Sequence, residues 1–263
     1  MPELPDVELF RRVVGRHARH RAVSRVVVRS SKVLGGISGR SLDSAVRGRQ
    51  FTMTVRRGKH LFIELSDVDR ALHVHFGMSG SFVIRDDGDS DGRFDRVVFG
   101  FNDGGRLCYV SKRQLGAISV VHSVEQAIEE LALGPDALAI TADDFDELVR
   151  SAGGMVKSLL MDQEKIAGVG NIYSDEILFQ AGIHPKARCD SLDKRARKKL
   201  WRSMRRVLEM AIDRDAQPNR MPSSFLLPHR TPGEPCPRCG GKVSKVSVSG
   251  RSSYVCARCQ PAP

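Results

Sequence analysis

The chain has 263 residues, 41% of them hydrophobic, enough for one large domain or two modest ones, each with its own core. A net charge of +11 and a pI near 9.7 point to a polyanionic partner, with nucleic acid the leading candidate. No apolar run of 18 residues and no signal-peptide core is present, so no membrane partner is expected, and the expected location is cytoplasmic, associated with the nucleoid.

In chain order, Pro5 and Asp6 read as the first turn of a helix whose buried stripe is Val7, Phe10, Val13 and Val14, fading between Gly15 and Arg21. A β-rich region follows, with strands at Val23–Val28, Phe51–Val55, His60–Leu65, Ala71–Phe76, Ser81–Arg85, Arg96–Phe101, Arg106–Ser111 and Ala117–His122. Turn chemistry such as Asp86-Asp87-Gly88 and Asp103-Gly104-Gly105 separates them, predicting an antiparallel sandwich or barrel. From Val124 the pattern turns helical, with segments near 142–152, 155–161, 171–181 and 191–213. The last places Leu192, Ala196, Leu200, Met204, Leu208 and Ala211 on one face, while lysines and arginines fill the rest, either as a solvated face or as a contact for DNA.

Three stretches carry chemistry. Removal of Met1 would leave Pro2 as a secondary α-amine, whose pKa of about 8 keeps a useful fraction unprotonated near neutrality and able to attack an aldehyde-like carbon. Glu3 is placed to exchange protons at the same centre. In Gly168-Val-Gly170-Asn171, two glycines allow close backbone approach and Asn171 is expected to cap a new helix. This is either a tight turn or a phosphate cradle. The third stretch, Cys236-x-x-Cys239 and Cys256-x-x-Cys259 with sixteen residues between the pairs, fits one closed, structural four-thiolate Zn2+ site. Val243, Val246 and Val248 read as a hairpin strand and Ser249-Gly250-Arg251 as its turn, with Arg251 at the tip. Cys108 and Cys189 read as plain structural thiols.

Together these stretches resemble the formamidopyrimidine-DNA glycosylase and endonuclease VIII family of base-excision repair enzymes, from end to end. The resemblance implies an α+β fold: an antiparallel β-sandwich with a leading helix (1–130), a linker (131–145), a helix-two-turn-helix DNA-binding domain (146–228) and a β-hairpin zinc finger (229–263). It implies a bifunctional DNA glycosylase and abasic-site lyase, acting as a monomer on double-stranded DNA that contains damaged bases. By resemblance Pro2 is the nucleophile, Glu3 the acid that helps open the sugar, and Lys59 a catalytic hairpin lysine that also contacts phosphate. His75, Lys157, Asn171 and Arg251 match phosphate-gripping positions, and Met78 matches a residue that fills the gap left by the extruded base. Read by itself, Met78 would pass as a core residue at a strand end.

The chain departs from the family pattern at Ser111-Lys112-Arg113-Gln114-Leu115-Gly116, where Arg113 keeps the place facing the orphaned base but Leu115 replaces an aromatic wedge. Asp6 stands for the usual Glu. The connection before Cys236 is short and holds Pro218, Pro222 and Pro228, favouring a stiff path over a mobile lid. A ring-opened purine or an oxidised pyrimidine is therefore expected as substrate rather than 8-oxoguanine. The alternative is a non-catalytic zinc-finger protein on the same scaffold, against which Pro2, Glu3 and Lys59 together argue.

Overall fold

A computed structural model describes residues 1–263, which divide into two compact units: Met1–Pro2 with Asp6–Ala132, and Glu3–Pro5 with Leu133–Pro263. The chain opens with α1 (Leu4–His17), whose Val7 and Val14 are fully buried and whose Phe10 packs on Phe76 at 4.6 Å between ring centres. Then come β1 (Val23–Val28), α2 (Gly39–Val46), β2 (Phe51–Arg57), β3 (His60–Leu65), β4 (Ala71–His75), β5 (Gly80–Arg85), β6 (Asp95–Phe101), β7 (Arg106–Ser111), β8 (Ala117–Val121) and α3 (Val124–Glu130). The eight strands form two four-stranded antiparallel sheets, ordered β1-β6-β7-β5 and β2-β3-β4-β8. Side chains of both sheets, among them Phe51, Leu61, Ile63, Val97, Phe99 and Tyr109, share one core. Each such side chain contributes about 1.5–3 kcal/mol by leaving water.

Between β2 and β3 lies a two-residue turn, Gly58-Lys59, with Gly58 at φ +57°. A glycine at the first central position suits the turn that matches strand twist. The turn fixes the register Arg57↔His60, which carries on as His60↔His75 between β3 and β4. The short helix α2 escapes the sequence reading because it is only eight residues long and polar on its outer face. Its signal is present nonetheless: Ser38 accepts the Ser41 N–H as an N-cap, and Leu42, Ala45 and Val46 are buried at helical spacing.

The second unit contains α4 (Ala142–Ser151), α5 (Val156–Met161), α6 (Asn171–Ala181), α7 (Lys194–Asp213) and the hairpin of β9 (Val243–Val248) and β10 (Arg251–Cys256). Helix α7 buries Leu200, Met204, Leu208 and Ala211 as the periodicity predicts, with Val207 and Ile212 added and Leu192 and Ala196 partly covered. The stretch 131–145, expected as a linker, contributes to this unit. Ala137 and Ile140 are buried in this unit's core and α4 begins at Ala142. Ser249 and Gly250, with φ of +48° and +74°, make the hairpin turn, so Arg251 is the first residue of β10, paired with Val248. No helix is long and apolar enough to cross a membrane.

Candidate functional site

The N-terminal segment is held by the Gly168-Val169-Gly170 turn at the start of α6. The Glu3 carboxylate is 1% exposed and accepts the N–H groups of Gly170 (2.8 Å), Ile172 (2.8 Å) and Tyr173 (3.2 Å). The Leu4 N–H donates to the Gly168 carbonyl at 3.1 Å. Three donors converging on two oxygens at the positive end of a helix favour the ionised carboxylate. Both glycines are required sterically. A Cβ on Gly170 would stand 2.3 Å from Glu3 Cδ, and one on Gly168 would stand 2.5 Å from Leu4 Cδ1. Gln163 braces the turn, accepting the Gly168 N–H at 3.0 Å and donating to the carbonyls of Met161 and Val169. Pro2, partly buried, is one peptide bond from this anchor.

Two expectations change here. The N-cap of α6 is Gly170, not Asn171, because the Glu3 carboxylate takes the N–H groups that a capping side chain would have accepted. Asn171 is the first helical residue and its Oδ1 is buried without a protein partner. The same occupancy means that these N–H groups do not form an open phosphate cradle.

Lys157, expected to grip phosphate, is 0% exposed and forms an ion pair with Asp175 at 2.5 Å. Burial lowers its pKa, opposed by the Asp175 charge. Asp175 is the hub of this region. It also accepts from Arg230 Nε and Nη2 at 3.0 and 2.8 Å, from the Ser253 hydroxyl and from the Tyr254 N–H at 3.2 Å. Lys157 therefore joins α5, α6 and β10 rather than presenting its ammonium to solvent. Neither Asp175 nor Arg230 was legible as a partner, since they are 55 residues apart and no local spacing links them. Arg251 is exposed at the hairpin end, and Ser249 beside it bonds Ser158 at 2.8 Å, oxygen to oxygen.

In the first unit, Lys59 occupies the β2–β3 turn, and beside it the His60 ring stacks on His73 with centres 5.1 Å apart and meets His75, tilted, at 5.0 Å. His60 Nδ1 lies 2.8 Å from His73 Nε2, and His73 Nδ1 lies 3.3 Å from Ser119 Oγ. Burial, reinforced by neighbouring positive charge, lowers His60 to about 3 and His73 to about 4. His75 is lowered by burial and then by the Lys59 charge. Near neutrality His75 is thus an uncharged imidazole, able to donate an N–H to a phosphate but not to add a positive charge. The sequence reading missed His60 and His73. Their signal is the strand register, which sets them on one face with His75.

Met78, Arg113 and Leu115 lie on two loops that are tied together. Ser79 Oγ accepts the Arg113 N–H at 3.0 Å, and a Cβ on Gly77 (φ +59°) would stand 2.3 Å from the Leu115 carbonyl carbon. Met78 is 43% and Leu115 55% exposed, so neither is a core residue, and Arg113 is exposed as well. Two large apolar side chains facing water on adjoining loops are the arrangement a wedge requires.

The sulfurs of Cys236, Cys239, Cys256 and Cys259 lie within 4.8 Å of one another, with Cys236–Cys259 at 3.8 Å and Cys239–Cys256 at 3.5 Å. A tetrahedral zinc site with Zn–S bonds of about 2.3 Å has sulfur–sulfur edges of about 3.8 Å. The donor set fits one structural Zn2+, and all four positions are taken by protein, leaving none for a substrate. Cys108 and Cys189 are buried elsewhere, and burial pushes each thiol up to about 11.

Comparison with known proteins agrees with this geometry. Residues 1–118 match the formamidopyrimidine-DNA glycosylase N-terminal domain, residues 131–223 its H2TH domain, and residues 233–262 the zinc finger found in FPG and IleRS. Formamidopyrimidine-DNA glycosylases of Pelotomaculum thermopropionicum and Heliobacterium modesticaldum are each 33% identical, with 99% of this chain covered and 99% and 100% of theirs. The solved complex between the Lactococcus lactis enzyme and an abasic site containing DNA is similar with a TM-score of 0.88 at 27% identity, covering 99% of this chain and all of that one. The chain belongs to the formamidopyrimidine-DNA glycosylase and endonuclease VIII family.

Proposed function

We propose that this DNA N-glycosylase extrudes an oxidised or ring-opened base from duplex DNA, removes it through a Schiff base on Pro2, and then cuts the strand by β,δ-elimination. The observation that carries the reading is the docking of Glu3 and Leu4 on the Gly168–Gly170 turn, because it holds the residue before them, Pro2, in a fixed place. Positioning of this kind is what turns an ordinary amine into an efficient nucleophile. With Met1 removed, the Pro2 nitrogen attacks the sugar C1′ and the bond from C1′ to the damaged base breaks, with the base leaving protonated. The C1′–O4′ bond of the resulting aminal then breaks as O4′ takes up a proton by way of Glu3, leaving an iminium on C1′. Loss of the C2′ proton that the iminium acidifies expels the 3′ phosphate, and loss of a second proton, from C4′, expels the 5′ phosphate.

Glu3 is assigned to proton exchange at the sugar ring and, from its hydrogen bonds, to anchoring Pro2. Lys59, one residue before β3, is assigned to phosphate contact and to assisting the reaction. Neutral His75, Asn171 and Arg251 are assigned to phosphate, with Lys157 acting through Asp175 to hold β10. Met78, Arg113 and Leu115 are assigned to the space vacated by the base, a role their exposure supports. The connection after α7 supports a ring-opened purine or oxidised pyrimidine as substrate. It has two short 3-10 turns, Pro218–Arg220 and Leu227–His229, and buries Phe225, Leu226 and Leu227, so it is packed rather than free to close as a lid.

The test is to extend the chain by one residue before Pro2, converting its amine to an amide. Base release and nicking of abasic duplex should be lost while duplex affinity is kept. An extended protein that nicks at the rate of the unextended one would overturn the assignment.

A further inference from the structure

Helix α7 carries a charge pattern that neither the fold nor the proposed reaction uses. Lys194, Arg195, Lys198, Lys199 and Arg202 are exposed and line a surface groove of about 590 Å³. None of the five makes an ion pair or a side-chain hydrogen bond within the protein, whereas their neighbours are tied down. Arg197 holds Asp146 at 2.8 Å, and Arg205 holds Glu209 at 3.0 Å together with the Leu138 carbonyl. Asp146 and Glu209 are thus engaged by other cations, and Asp193, the N-cap of α7, accepts the Ala196 N–H.

This arrangement works against the helix that bears it. Lys194 and Lys198, Arg195 and Lys199, and Lys198 and Arg202 are like-charge pairs at a spacing of four residues, each of which destabilises a helix. Lys194 and Arg195 also stand in the first turn, at the positive end of the helix dipole, where acidic residues are favoured. Helix α4 of the same unit shows the opposite habit, with Asp143 and Asp144 in its first turn and Arg150 in its last. Five exposed cations with no ion pair or side-chain hydrogen bond inside the protein, only Lys194 near the Asp146 charge and Lys199 near the C-terminus of α6, leave most of their charge for an external anion.

The groove lies towards the opposite end of α6 from the Glu3 anchor. The Lys199 ammonium lies 3.4 Å from where a Cβ on Gly182 would stand, and Gly182 caps the C-terminus of α6. Glu3 binds the N-terminus of that helix, and its 11 residues span about 16 Å. From Arg195 to Arg202 the helix rises about 10 Å, a length over which one DNA strand presents roughly three phosphates. The five lining residues are all cationic, with no aromatic or aliphatic side chain to form the apolar centre of a protein interface. A regular polyanion fits better than an acidic protein.

We infer that this face of α7 binds the phosphate backbone of a second DNA segment, so that one molecule holds two duplexes at once and can pass between them. The inference rests on the proposed DNA-binding function. It is tested by capture: a short duplex is immobilised, protein is bound to it, and retention of a second, fluorescent duplex is measured. Wild type should retain the second duplex at low salt and release it steeply as salt rises. The variant Arg195→Gln/Lys198→Gln/Lys199→Gln/Arg202→Gln, altered only at exposed positions, should still bind the immobilised duplex and cut abasic DNA, but retain the second duplex about tenfold less or weaker. Failure of wild type to retain a second duplex, or equal retention by the variant, would overturn the inference. Failure of the DNA-binding reading itself would appear separately, as no protein on the immobilised duplex.

Discussion

Replacing Gly170 by alanine places a methyl carbon 2.3 Å from Glu3 Cδ and 2.5 Å from its Oε1, a separation that forces the carboxylate out. The backbone at this position has φ −122° and ψ −161°, extended values open to any residue, so the effect is steric and carries no conformational strain. Eviction costs three N–H···O bonds from Gly170, Ile172 and Tyr173 and the favourable placement of a negative charge at the start of α6. At about 1 kcal/mol net for each bond and up to about 2 for the helix terminus, the docked state loses roughly 3–5 kcal/mol. That corresponds to about a hundredfold or more in the population of correctly placed Pro2. The assay is single-turnover cleavage of an abasic duplex, with affinity for undamaged duplex measured alongside. Gly154→Ala serves as control, since a Cβ there meets nothing within 4 Å. Gly170→Ala should cut at least about a hundredfold more slowly, with duplex affinity within about twofold. Cleavage within threefold of wild type would refute the claim that the cradle positions the nucleophile.

Asp175→Ala strands the buried Lys157 ammonium and releases Arg230, Ser253 and Tyr254, so chemical denaturation should show a loss of about 3–5 kcal/mol. A loss under 1 kcal/mol would restore Lys157 as a free phosphate ligand. Cys256→Ser should lose zinc and make residues 233–262 sensitive to protease while the first unit's core persists, because the metal supplies on the order of 10 kcal/mol to the finger. A zinc-free protein with a protease-resistant C-terminus would contradict this. Met78→Ala should lower excision of flipped lesions with little change in binding to undamaged duplex, and equal losses on both would dismiss the wedge. The histidine group sets an acid limit. His60 and His73 fall from 6.5 to about 3 and about 4 on folding, so the unfolded chain takes up protons first and stability, complete above pH 6.5, declines as pH falls towards those values. Between pH 6.5 and 5 the pair should cost about 3 kcal/mol in urea unfolding, and a flat profile there would dismiss their burial as neutral imidazoles.

The parts of the molecule legible in the sequence are those whose signal is local. Strand alternation and the period of α7 are set by which face meets the core, and the two C-x-x-C pairs are set by the coordination they must satisfy. What the sequence did not disclose depends on contacts between distant residues. Gly168-Val169-Gly170 has the appearance of a phosphate turn because nothing near it reveals that Glu3, 167 residues earlier, fills it. Lys157 has the appearance of a free cation for the same reason, its partner Asp175 lying 18 residues on and buried with it. The histidine group forms only when β3 and β4 pair in register, and Met78 could be separated from a core residue only by its exposure.

The most direct measurement is to treat the protein with borohydride on an abasic-site duplex, digest the covalent adduct, and locate the modified residue by mass spectrometry. The adduct should lie on the N-terminal peptide with the sugar carbon on the Pro2 nitrogen. An adduct on Lys59 or another lysine, or none at all, would contradict the account.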